Sequence, residues 1–422
     1  MDQNENTVNQ EMQTKPKKDF RLPIAAVLMI VILTTAFACM MTYVSLSLDY
    51  QQKVEEAYGR FAKFEKLIEV AELYDEYYLY DVDDALLEEA LAEAYIYGNG
   101  DRFSSYYNTE AWAEQMANSA GNSVGIGVYV TYAPNLGIRI VQVMKDGPAS
   151  KADLQKGDVI VAIDGQDVTA LDYEVAVDMV KGEVDSSVVL TILRGEETLD
   201  VSVVRGHYVA ETVYAELMEA DGHKFGYINI TEFLSEEVTA KQFKNAVDTL
   251  RKNGAQGLVF DVRDNPGGDL NAVCSMLDYL VPQGPIVRLS YANSDQVRTI
   301  YSYDSEVDMP MVVLTNNNTA SAAELFTSAL RDYDKAKIIG QKTYGKGCGQ
   351  TGQMTKDGSV VFITNFLYSP PYSDNYDGIG IVPDYEVALS EEWQNTNLFL
   401  VPHNDDAQFI KAVEVLLNDI NS

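Results

Sequence analysis

Residues 22–48 contain no charged side chain, and most are apolar. At 1.5 Å per residue this run is long enough to cross a hydrocarbon core of about 30 Å as a helix. The sequence therefore predicts a transmembrane anchor. Lys15, Lys17, Lys18 and Arg21 stand just before it. The positive-inside tendency keeps that end, a tail of residues 1–21, in the cytoplasm and places everything after Leu48 outside. A cleaved signal peptide is the competing reading. Ala36-Phe37-Ala38 has the small-x-small form of a cleavage site, and Cys39 follows it. The apolar run exceeds the roughly 7–15 residues of a signal core, which favours a retained anchor.

The formal net charge is −33. The first 21 residues hold four acids and four bases, so the whole excess belongs to the outer part. Nucleic acid is a poor partner for such a chain, because its binding neutralises phosphates with Lys and Arg. An anionic bilayer surface would be repelled as well. Hydrophobic residues at 46% and charged residues at 23% match folded globular usage, so the acidity is a surface property. Cys39, Cys274 and Cys348 have no paired spacing, and His207, His223 and His403 are scattered. Neither a disulfide framework nor a zinc site is expected.

After the anchor, Val54, Ala57, Phe61, Phe64, Ile68 and Ala71 recur at spacings of three and four. This seam fits a coiled or self-packing helix, and equally an ordinary amphipathic helix on its own domain. Helical character extends to Tyr97, where Gly98-Asn99-Gly100 stops it, within a helical region of residues 49–120. Residues 121–207 then change period. VGIGVYVTY, LGIRIVQVM, DVIVAIDG, SVVLTILRG and TLDVSVVRG are short β-rich runs, with one helical insert near Tyr173–Val180. Residues 208–402 alternate strand and helix, which predicts an α/β domain with a largely parallel core and its site at the carboxyl ends of strands. An apolar helix, Ala407–Ile420, closes the chain and has two possible seats, this domain or a second subunit. The whole reads as a multidomain α/β chain.

Three segments of the last domain carry chemical potential. VFDVRDNPGGDL, Val259–Leu270, reads by itself as a strand-ending turn. In VVLTNNNTASAAELF, Val312–Phe326, a strand ends and a helix begins at Ser321. Ser321 with Glu324 forms a capping box, yet the same position sets a hydroxyl among unpaired N–H groups that can stabilise an oxyanion. GQKTYGKGCGQ, Gly340–Gln350, nearly matches a phosphate-binding loop, but Gly347 replaces the magnesium-binding Ser or Thr. A lysine between two glycines is either a solvated loop charge or a group that backbone can enclose. Enclosure lowers its pKa and makes it a general base.

Two resemblances join these segments. GPASKADLQKGDVIVAIDGQDV, Gly147–Val168, resembles the signature of a PDZ domain, with Asp153 where glycine is usual, a departure that bears on the local turn. That resemblance implies that Val124, Gly125, Ile126, Gly127 and Val128 receive a protein's C-terminal carboxylate and add its tail as a strand. RDNPGG, TASAAE, TYGKGCGQ and GIGIVPD, in that order and downstream of a PDZ-like domain, resemble the carboxyl-terminal processing peptidases, or tail-specific proteases. Thr319 and Ala323 depart from that family's serine segment at positions without a catalytic role. The resemblance implies a PDZ domain joined to an α/β serine protease core, with Ser321 as nucleophile, Lys346 as general base and Gln350 orienting the lysine. It assigns the oxyanion hole to the backbone N–H of Ala322 and one from Gly267 or Gly268, and requires no metal or organic cofactor. The expected partners are protein C-terminal tails, with a membrane through the anchor and a second copy in a homodimer.

The alternative is a non-catalytic tail receptor on a protease scaffold. Cys348, two residues from the lysine, reads as a small apolar filler, with an oxidation-sensitive thiol as the weaker reading.

Overall fold

The computed structural model describes residues 23–303 and 305–422, without the side chains of Glu56, Ala57 and Arg60. Lys15, Lys17, Lys18 and Arg21, on which the orientation rests, lie outside the described residues, as does Leu22. The chain divides into two units, residues 1–84 and 85–422.

The first unit begins after Pro23 with α1 (Ile24–Ala62). Its stretch Ile24–Glu55 contains an 18-residue window with a mean hydropathy of 2.6, none of it buried. Within it the hydroxyls of Thr34, Thr35, Thr42 and Ser47 donate to carbonyl oxygens three or four residues back, so these polar groups need no outside partner. The predicted seam does not continue as one helix. At Lys63–Phe64 the Phe64 N–H bonds the Phe61 carbonyl at 2.8 Å, a tightened turn just after Gly59, the weakest helix former nearby. α2 (Glu65–Tyr77) follows and buries none of its residues. It stops at Tyr78, which is extended, where Tyr80, Asp81, Val82 and Asp83 are all poor helix formers.

The boundary falls at the first residue of α3 (Asp84–Tyr97), which ends at the predicted Gly-Asn-Gly turn; β1 (Ser105–Tyr107) and α4 (Thr109–Ser119) follow in the second unit. The β-rich stretch forms β2 (Asn122–Gly125), β3 (Val128–Ala133), β4 (Gly137–Val143), α5 (Pro148–Lys151), β5 (Val159–Ile163), β6 (Gln166–Asp167), α6 (Tyr173–Val180), β7 (Ser187–Arg194), β8 (Glu197–Val204) and β9 (Gly206–Val209). Its sheet runs β3-β4-β5-β7-β8, so β3 is an edge strand. Alternate residues point inward, as period-2 strands require, and Ile138, Ile140, Ile160, Leu190 and Ile192 are sealed from solvent. Asp153 takes φ +60, so the turn keeps the left-handed residue that glycine supplies, a conformation Asp tolerates better than most.

The remaining elements are β10 (Val213–Ala220), β11 (His223–Ile230), α7 (Lys241–Lys252), β12 (Leu258–Asp261), α8 (Leu270–Leu280), β13 (Gly284–Tyr291), β14 (Val297–Ser302), β15 (Met311–Thr315), α9 (Ala322–Asp332), β16 (Ala336–Gly340), β17 (Cys348–Met354), β18 (Val360–Ser369), β19 (Tyr385–Glu386) and α10 (Ala407–Ile420). One sheet runs β10-β11-β12-β15-β16-β19 and is parallel from β11 onward. Its central strands are unbroken apolar runs because both faces are covered. Phe260, Val313 and Ile338 face Phe243, Val247, Leu277 and Phe326 of α7, α8 and α9. Val259, Val312, Leu314 and Ile339 face Phe409, Ala412 and Leu416 of α10. Each such side chain contributes roughly 1.5–3 kcal/mol on burial. The C-terminal helix therefore docks on its own domain, which settles that alternative.

A second sheet, β1-β18-β13-β14 with β17 also on β18, is antiparallel throughout. Strand and helix alternation did not predict it, because its strands are interleaved in the chain with those of the parallel sheet. β17, CGQTGQM, also lacks an apolar alternation.

Candidate active site

β12 and β15 are parallel neighbours, so their carboxyl ends lie side by side and bring the RDNPGG turn against the TASAAE segment. Asn265 is fully buried and ties the turn together: its Nδ2 donates to the Ile230 carbonyl, and its Oδ1 accepts the Gly267 N–H, both at 2.8 Å. Gly267 has φ +101, and a Cβ on it would lie 2.6 Å from Ser321 Cβ and 2.8 Å from Ala322 N. Only glycine allows the turn to press this closely on the serine. Thr319 donates to the Val262 carbonyl at 2.8 Å, and the Ala320 N–H reaches the Asn265 carbonyl at 3.0 Å. Arg263 has a packing role. Its buried guanidinium bonds Asp261 at 2.6 Å and Asp406 at 2.8 Å, pinning the turn to the start of α10.

Ser321 caps α9 with φ 57 and ψ −121, a conformation rare outside glycine. Among the described residues the N–H groups of Ala322 and Gly268 have no hydrogen-bond partner. Gly267's N–H is already bound to Asn265, so of the two glycines Gly268 is the one with a free donor.

Glu324 does more than cap. Its carboxylate is fully buried and accepts the Ser321 N–H at 2.9 Å and the Lys346 N–H at 2.8 Å on one oxygen. The other oxygen accepts the Gly345 N–H at 2.7 Å and the Thr343 hydroxyl at 2.5 Å. Burial raises its pKa, and these donors oppose the rise. One side chain thus fastens the serine turn to the lysine loop. Gly345 has φ +90 and lies so close to Gly380 that a Cβ would sit 2.7 Å from its N, so the loop is enclosed by backbone.

Lys346 is half-buried, and burial lowers its pKa from the ordinary lysine value. Its Nζ donates to Gln350 Oε1 at 3.2 Å, and Gln350 Nε2 donates to Thr364 Oγ1 at 3.0 Å. The Nζ also lies 4.6 Å from the centroid of the Phe103 ring. Ser321 Oγ and Lys346 Nζ share no hydrogen bond among the described residues. The buried Tyr368 hydroxyl instead lies 3.2 Å from Ser321 Oγ and 2.5 Å from the Lys346 carbonyl oxygen. Cys348 is buried and its thiol is pushed up to about 11, so it is an uncharged filler at neutral pH.

The loop Val124–Val128 lines a cavity of about 290 Å³. Ile138 and, from α6, Val177 and Val180 complete its apolar wall beside the edge strand β3.

Residues 224–387 match the model of peptidase family S41, and residues 139–194 match that of the PDZ domain. A CtpA-like serine protease of Staphylococcus aureus is 30% identical over 424 residues, covering 98% of this chain and 83% of its own. The chain belongs to the CtpA-like serine proteases of peptidase family S41. A second such relative, from Staphylococcus haemolyticus, is 31% identical over 339 residues, covering 79% of this chain and 67% of its own. A solved S41 protease structure from Bacteroides fragilis shares the fold, with a TM-score of 0.58 over 77% of this chain and 90% of its own at 19% identity.

In this S41 peptidase the serine, glycine and lysine segments lie against one another, with Gly267 pressed on Ser321 and Glu324 joining the Ser321 and Lys346 backbones. Lys346 Nζ, by contrast, bonds Gln350 and makes no hydrogen bond to Ser321 Oγ among the described residues. The sequence reading gave Glu324 only its capping role. It missed Phe103, Thr364 and Tyr368 altogether. A local signal existed for the first: Asp101 and Ser104 bracket Phe103 in a short polar turn directly after Gly98-Asn99-Gly100. Tyr368 and Thr364 sit in an unremarkable strand sequence and offered none.

Proposed function

We propose that this S41 peptidase is a membrane-anchored, extracytoplasmic serine endopeptidase that captures protein C-termini in its PDZ groove and cuts near them through an acyl-enzyme. The reading is supported most by Glu324, whose single carboxylate holds the backbone of both Ser321 and Lys346. Ser321 Oγ attacks the scissile carbonyl carbon while neutral Lys346 takes the hydroxyl proton. The N–H groups of Gly268 and Ala322 receive the oxyanion. The lysine ammonium then protonates the leaving amine as the C–N bond breaks. A water, deprotonated by Lys346, attacks the ester and restores the serine. Gln350 orients the lysine, in the place a carboxylate takes in a Ser-His-Asp arrangement. The tail adds to the open edge of β3, with its carboxylate at Val124–Val128 and its last side chain in the apolar cavity beside α6.

Mass spectrometry tests this with the full chain in detergent and an unstructured protein bearing an apolar free C-terminus. The parent is expected to cut it, and Ser321→Ala and Lys346→Ala to lose at least about a thousandfold in kcat/KM. Parental cutting by Lys346→Ala would overturn the dyad. Tail binding without cleavage by all three would favour the receptor instead. Amidating the substrate's C-terminus is expected to weaken capture. α1 is the retained anchor, with its N-terminus cytoplasmic; external protease acting on intact cells should leave an N-terminal tag untouched. Self-association runs through the first unit, whose α2 buries nothing, and a monomer in sedimentation equilibrium would refute it.

A further inference from the structure

Lys346 stands between two glycines, so its own loop supplies no neighbouring side chain to direct it. Two contacts do so, and they come from different parts of the chain: Gln350 Oε1 from β17, and the face of Phe103 from the turn ahead of β1. Both are fastened at Thr364. Its hydroxyl accepts the Gln350 Nε2, and its N–H donates to Ser104 Oγ at 3.1 Å. Ser104 in turn donates to Asp101 at 2.5 Å, and the Phe103 N–H donates to the same carboxylate at 2.9 Å. The pairing of Ser105 with Phe362 then continues the segment along β18. The ring is thus held in place by backbone and by a shared residue.

We propose that Phe103 is a positioning residue that holds the charged Lys346 side chain in the resting place beside Gln350, away from Ser321. This rests on Lys346 being the general base. The two contacts act differently on the two forms of the amine. Gln350 Oε1 accepts a hydrogen bond from either form of the amine, more strongly from the ammonium. The ring face attracts only the cation. Phe103 therefore favours the protonated, parked lysine and loses its hold as the proton leaves. The other charges facing the site are Asp101 in the same turn, Arg102 over the same ring at 5.2 Å, Asp377 beside the lysine loop, and Glu324 under the lysine backbone. Cys348 adds none while its thiol is protonated.

The test is the pH profile of kcat/KM, measured on the full chain in detergent with a substrate that does not titrate in the range. Phe103→Leu keeps apolar bulk and removes the ring. Its acid limb is expected to move to lower pH by about half a unit, and Phe103→Tyr is expected to keep the parental limb. A Phe103→Leu limb that superposes on the parent's, while Lys346→Ala is inactive, overturns the proposal and leaves the dyad standing. An active Lys346→Ala overturns both. Should Phe103→Leu fail to fold, Phe103→Trp, with its stronger ring face, is expected to move the limb to higher pH. An unchanged limb there is equally fatal.

Discussion

The two halves of the site are built on opposite plans. The nucleophile half stands at the ends of two parallel strands, and Asp261, Asn265, Thr319 and Glu324 there are all 0% exposed. Its bonds run mostly to backbone, so Ser321 is held by the main chain itself. The base half lies on the antiparallel sheet, where Phe103, Ser104, Lys346, Gln350 and Thr364 are all half-buried. The bonds around its lysine, from Lys346 to Gln350 and from Gln350 to Thr364, run from side chain to side chain. The difference teaches that the serine is the fixed partner and the lysine the adjustable one. Glu324 is the point where the plans meet, and it reaches the lysine through backbone alone.

The largest effect should therefore come from Glu324. In Glu324→Ala the N–H groups of Ser321, Gly345 and Lys346 and the Thr343 hydroxyl lose their acceptor together. A buried donor left unsatisfied costs about 1–3 kcal/mol. The variant is expected to lose at least about 3 kcal/mol of stability in urea unfolding and all measurable activity. A loss below about 1 kcal/mol would break the claim that this carboxylate joins the halves.

Gly267→Ala comes next and probes the rigid half. A methyl 2.6 Å from Ser321 Cβ, on a residue at φ +101, must displace the serine turn. We expect kcat to fall about a hundredfold or more, since one lost oxyanion donor alone has that effect, with a stability loss of about 1–3 kcal/mol. Normal kcat would show that the turn yields more easily than its burial implies.

The same contrast explains what was legible. Ser321 and the Asn265-Pro266-Gly267-Gly268 turn are local strand-to-turn-to-helix patterns, so a short stretch of sequence reveals them. Parallel pairing of β12 with β15 then follows from their shared apolar character. The base half depends on contacts such as Ser104 with Thr364, 260 residues apart in sequence, and on an antiparallel sheet whose polar strands carry no clear alternation. The motif named Lys346 and Gln350, and the polar turn around Phe103 marked a structured segment, but nothing local linked its ring to the lysine. Asp153 taught the opposite lesson: it stands where glycine is usual, yet it takes φ +60, the left-handed backbone that glycine adopts freely.

Gln350→Ala is a milder test, aimed at the adjustable half. It removes an acceptor from Lys346 Nζ and a donor from Thr364, both half-buried. A fall in kcat of about 10–100-fold, with stability within about 1 kcal/mol of the parent, is expected. A stability loss as large as that of Gly267→Ala would erase the distinction between the halves.

Lys346→Met should have the smallest effect on stability, and its sign is informative. Burial lowers the folded-state pKa of Lys346 below the 10.5 of an ordinary lysine. Between those two values the unfolded chain carries a proton that the folded chain has lost, so stability rises with pH across that window. Below the folded pKa both states are charged and the full desolvation cost is present; above 10.5 both are neutral and the cost is gone. Removing the titrating group should therefore stabilise the protein at neutral pH, with the gain shrinking as pH approaches that upper value. Solvent reaches the half-buried side chain, so the gain should stay below about 1 kcal/mol. Urea midpoints of parent and variant at neutral and alkaline pH measure it. Equal or lower stability for the variant at neutral pH would mean that Gln350 and Phe103 fully offset the burial, leaving the base no easier to deprotonate than a lysine in water.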